Sequence, residues 1–104
     1  MNKHLELMIQ ALPTEVIEKI IEPYKMEQLL NVLFNELYDN KVEYELKQVD
    51  LSDDEIMIRY YSRPDMFFEN NLTDNVFHTI EETLLEIYMY SIEGKLWDNG
   101  WNDK

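Results

Sequence analysis

Three places in this chain of 104 residues carry side chains that could do chemistry. Asp53-Asp54-Glu55 is the densest acidic cluster, and carboxylate oxygens suit a hard divalent cation. The same residue types also build turns, so a solvated hairpin tip accounts for them without a metal. Asp98 to Asp103 superficially resembles a calcium loop, but Gly100 stands too close to Asp98 and no glutamate closes the loop. His4 and His78 are the histidines. Acid–base or nucleophilic work needs a group held against the ring. His4 sits on a helix end expected to fray, and His78 lies near Glu81 and Glu82, where it offsets acidic charge. Ser52, Ser62 and Ser91 stand in no nucleophile-elbow context. Two glycines are too few for a phosphate-cradling loop. With 22 acids, some carboxylate pairs fall close by chance, so pairing alone does not argue for glycoside chemistry. The absence of cysteine excludes disulfides, thiolate metal sites and cysteine catalysis. The expectation is a protein that is not an enzyme, with no cofactor and no metal.

What the chain has in excess is negative charge. Its 22 acids against nine basic residues give −13. Spread over a folded surface of roughly 6,200 Å² by size scaling, that charge repels itself. Direct contact with nucleic acid or anionic lipid is disfavoured, because both need a positive face. A basic protein partner is favoured. No apolar run approaches the ~18 residues of a membrane span. The lead-in Met1-Asn2-Lys3-His4 lacks the pattern of a signal peptide, so a cytoplasmic location is expected.

The elements that must position these groups follow from periodicity. Leu72 to Trp97 reads as one long amphipathic helix around which the rest is organised. Thr73 is placed to cap it, Leu72 and Phe77 to staple it, and Gly94 to stop it. Val76, Phe77, Ile80, Leu84, Ile87, Tyr88 and Ser91 share one face, while His78, Glu82, Glu86, Met89 and Glu93 share another. Earlier in the chain, Lys3 to Leu12 forms a short helix. Thr14 caps a second that Pro23 closes or kinks. A third runs from about Tyr24 to Asp39, with Met26, Leu29, Leu30, Leu33, Phe34 and Leu37 inward and Asn40 left-handed at its exit.

The period then drops to two. Val42, Tyr44 and Leu46 alternate with charged residues in one strand, with a bulge near Gln48, and Ile56, Ile58 and Tyr60 mark a second. Arg59 is expected opposite Glu43 or Glu45. The fold class is therefore α+β: a single small domain over 1–104 in the order α-α-α-β-β-α. An antiparallel hairpin packs against helices, with a long C-terminal helix and a weakly ordered tail over 97–104.

Two functional readings follow. The first is a small acidic inhibitor or regulator that docks, as a nucleic-acid mimic, on the basic surface of a protein acting on nucleic acid. Its contacts are Glu82, Glu86, Glu93, Glu43, Glu45, Asp53 and Asp54. The alternative is an adaptor or assembly module, dimeric or complexed with a partner, that uses an apolar patch. Trp101, Tyr61, Met57 and Met89 are its contacts.

Overall fold

The computed structural model describes residues 3–52, 55–61 and 79–103 and, within the strands of the first hairpin, the backbone alone. Helix α1 (Lys3–Gln10) buries Leu5 and Met8, and Leu12 follows them inward. Pro13, rather than Thr14, then caps the next helix. Its backbone is extended, its carbonyl accepts the N–H groups of Val16 and Ile17, and Thr14 is the first helical residue. Helix α2 (Thr14–Val16) continues as a π-helical turn over Ile17–Ile21, closed by a bond from the Glu22 N–H to the Ile17 carbonyl at 2.9 Å. Pro23 cannot continue it.

A 3₁₀ turn (Met26–Gln28) leads into α3 (Leu29–Asp39). Leu29, Val32, Leu33 and Leu37 recur at three- and four-residue steps and are buried. Phe34, expected inside with them, is 37% exposed, because it lies a third of a turn from Leu33 at the edge of that stripe. The exit of α3 also differs from expectation. Asn40 keeps φ at −90°, and Lys41 takes the left-handed conformation at φ 57°. The Lys41 N–H donates to the Tyr38 carbonyl and the Val42 N–H to the Leu37 carbonyl, both at 3.0 Å. That bond pair is a Schellman closure, which folds the chain back along the helix it has just left. The Asn40 side chain seals the end by donating to the Glu36 carbonyl at 2.7 Å.

Strands β1 (Glu45–Ser52) and β2 (Glu55–Tyr61) form the expected antiparallel hairpin. Its irregularity falls between Asp50 and Ser52, not near Gln48. The register is set by Ser52 standing opposite Glu55, and the extra residue shifts it by a single position, so Arg59 stands opposite Lys47 rather than Glu43 or Glu45, and Glu45 stands opposite Tyr61.

Helix α4 (Ile80–Tyr88) runs on as a π-helical turn over Met89–Glu93, 14 residues in all. Its cap is Thr79, whose backbone is extended and whose hydroxyl accepts the Glu82 N–H at 3.2 Å. The Thr73 cap and the staple of Leu72 and Phe77 lie outside the described residues. Gly94 stops the helix as its sequence position implies, at φ 71°, with its N–H on the Met89 carbonyl. From Glu82 to Met89 every side chain is buried. α4 packs against α3, α1 and β2 and keeps no free face over that stretch.

The last residues form a second hairpin that periodicity misses. β3 (Lys95–Trp97) and β4 (Trp101–Asp103) pair in register, Trp97 opposite Trp101. Asn99 at φ 54° and Gly100 at φ 139° make the turn. Lys95 Nζ meets Asp103 Oδ1 at 2.7 Å across it, and this contact holds the Asp103 carboxyl below its usual range. The two indoles meet edge to face with centroids 5.1 Å apart. Trp101 Nε1 donates to the Met8 carbonyl at 2.9 Å, which ties the end of the chain to α1.

Replacing Trp101 with Phe removes that bond while keeping an aromatic ring. Urea unfolding followed by circular dichroism is expected to show a loss of about 1–2 kcal/mol. Tyr88 supplies a second prediction. Burial first, then the charges of Glu36 and Glu93, push its phenol up to about 12. The unfolded chain therefore releases this proton from about pH 10 while the folded one holds it. Stability should stay level below about pH 10 and fall as pH rises towards 12, and Tyr88→Phe should flatten that decline.

Candidate functional site

The strongest catalytic-looking geometry joins His4 to Glu82. His4 Nδ1 lies 3.0 Å from Glu82 Oε2, although the two residues stand 78 positions apart. Thr79 and Glu82 match the spacing of a capping box, in which the glutamate would turn back onto its own helix end. Here it reaches α1 instead. Its side chain is 1% exposed against 41% for His4, and its other oxygen, Oε1, is buried without a hydrogen-bond partner. His4 also meets the Trp97 ring edge to face, with centroids 6.0 Å apart. This N-terminal segment is therefore docked rather than frayed.

A carboxylate behind an imidazole orients a ring for base or ligand work. Such work needs a third group. Among the described residues no set of three or more His, Cys, Asp or Glu side chains gathers as metal ligands would. The Ser91 hydroxyl is buried without a partner, so it is out of a substrate's reach. The pair reads as a fastening between α1 and α4.

The acids singled out by sequence are not brought together. Glu82 and Glu86 have no exposed surface and cannot touch a partner. Periodicity assigns α4 one inner side and puts these two acids on the other, whereas its neighbours enclose it on every side from Glu82 to Met89. Met89, read as an outer contact, is buried for the same reason. Glu43 and Glu93 are exposed. Asp53 and Asp54, with the side chains of Glu45, Met57 and Tyr61, lie outside the described residues, as does His78. Trp101 is half-buried and held by Met8, so the tail does not offer it freely.

Sequence reasoning missed an aromatic groove. Phe34, Asn35 and Tyr38 on the outer side of α3 face Val42 and Tyr44, which the Schellman closure returns alongside them. The space between them is about 360 Å³ and open to solvent. Asp39, Lys41 and Glu43 line a continuation of it around Tyr38 and Val42. Tyr38 is 83% exposed, the largest exposure of the big apolar side chains described. Burial pushes the Tyr44 phenol above its usual range. The available signal was the spacing of Phe34 and Tyr38, one helical turn apart and just off the inward stripe.

The sequence matches no protein-family model, and no curated protein or solved structure matches it either.

The burial of Glu82 predicts that charge reversal acts on folding. Glu82→Lys places an ammonium against His4 in a dry site and is expected to cost about 3–5 kcal/mol in urea unfolding. Glu93→Lys, on the surface, should stay within about 0.5 kcal/mol of the parent.

Proposed function

We propose that this is a small acidic, non-enzymatic binding protein, acting in the cytoplasm by docking on the basic surface of a partner that itself handles nucleic acid. The observation that supports this reading most directly is the charge left outside after folding. Helix α2 and its π turn expose Glu15, Glu18 and Glu22 against Lys19, at spacings that keep them near one another. A stable surface helix usually interleaves opposite charges, and here the carboxylates dominate. Glu6, Glu27, Asp39 and Glu43 extend the negative surface over α1, the 3₁₀ turn and the exit of α3. Such a surface draws a basic partner from solution and sets its on-rate. Proteins that hold nucleic acid carry positive grooves to match.

This changes the residues of the nucleic-acid-mimic reading and keeps its chemistry. The contacts move from α4 to α2, with Glu43 and Glu93 retained. The adaptor reading is favoured by a separate observation, the exposed rings of Tyr38 and Phe34. Among the described residues no helix is long and apolar enough to cross a membrane.

Immobilised protein should retain a basic, nucleic-acid-binding protein from a cytosolic lysate at low salt and release it at roughly 0.5 M salt, where exposed charges are heavily screened. Glu15→Lys with Glu18→Lys should abolish retention without lowering stability. A partner that survives the high-salt wash and ignores both substitutions would turn the reading to the apolar adaptor.

A further inference from the structure

The groove beside α3 combines two kinds of recognition. Phe34 and Tyr38 present aromatic rings one turn apart, with Tyr44 and Val42 as the opposite wall. Asp39 and Glu43 are exposed where the groove continues, with one lysine, Lys41, between them in sequence, so the charged rim is net negative.

We infer that this groove docks an arginine-bearing extended segment of a basic partner protein. The inference rests on the reading of the chain as a binder of basic proteins, and it names the place and the side chain. A guanidinium stays charged, is weakly hydrated and lies flat on an aromatic ring while its N–H groups reach carboxylates at the ring's edge. A lysine ammonium is a more strongly hydrated point charge and gains less from the same rings. The open space of about 360 Å³ suits one or two side chains from a passing strand. A second copy of this chain is a poor occupant, because each copy carries −13 and the rims would repel. Nucleic acid and anionic lipid are disfavoured on the same ground.

The test titrates isotope-labelled protein with an oligoarginine peptide and, separately, an oligolysine peptide of equal length, at low salt, following backbone amide shifts. The expected shifts concentrate at Asn35, Tyr38 and Lys41 to Tyr44, with arginine binding roughly threefold to tenfold more tightly than lysine. Tyr38→Ala should remove most of that preference. The ring is 83% exposed, so the fold should not suffer, and thermal unfolding checks this. Lys41→Asn deletes the rim's cation with a residue that tolerates the left-handed backbone, and should tighten arginine binding about twofold to threefold. Equal affinity for the two peptides, a silent Tyr38→Ala and shifts spread over α2 would overturn the groove while leaving the acidic-binder reading in place. Failure of both peptides to bind at low salt would overturn the two together.

Discussion

The enclosure of α4 from Glu82 onward is the constraint on which the rest of this structure depends. A helix buried on every side cannot hide polar residues by rotating them outward, so any acid in its sequence must be accommodated within. Glu82 is accommodated in two ways. It sits in the first turn, where the helix dipole favours negative charge. It also meets His4, delivered by a helix at the far end of the chain. Docking of α1 is thus part of the core's electrostatics as well as its packing. Leu5 and Met8 bury the apolar side of α1 while His4 reaches the carboxylate.

Folding consequently divides the acids into two populations. Glu82 and Glu86 of α4 are interior, and their exchange for other residues is a question of stability. Those of α2, the 3₁₀ turn and the exit of α3 remain outside and can act at a distance. The aromatic groove belongs to the second population's neighbourhood. It exists because α3 ends in a closure that returns Val42 and Tyr44 to its flank, with Lys41 held left-handed to make the reversal. Function on this surface is separable from the core, since Tyr38 and the α2 glutamates contribute little to burial.

The fold class was legible because it rests on period. The switch from a helical to a two-residue repeat after Asn40 separates the helices from the hairpin, and Pro13, Pro23 and Gly94 punctuate the chain where they stand. Boundaries and register were less legible, being set by single bonds. Thr79 caps α4; the sequence Thr79-Ile80-Glu81-Glu82 carried that signal, and the long apolar pattern obscured it. The second hairpin was signalled by Asn99-Gly100 between two tryptophans, a turn dipeptide with bulky flanks. The candidate site was the least legible part. Helical spacing tells which residues share a face but not how many faces the neighbours cover. Glu82, Glu86 and Met89 were therefore placed outside, and the groove at Tyr38 required knowledge of where the chain turns back.

The bond from Trp101 to the Met8 carbonyl and the contact of Trp97 with His4 bring the two ends of the sequence together. A chain made from its N-terminal side onward cannot complete this clasp until Trp97 and Trp101 have been synthesised. Until then α1 lacks the indoles that hold it, and His4 has no fixed place beside Glu82. The fastening of α1 therefore waits on the second hairpin, which is made after every helix it joins. The chain's abundant like charges, which burden the finished fold, would during that interval keep unfinished chains apart.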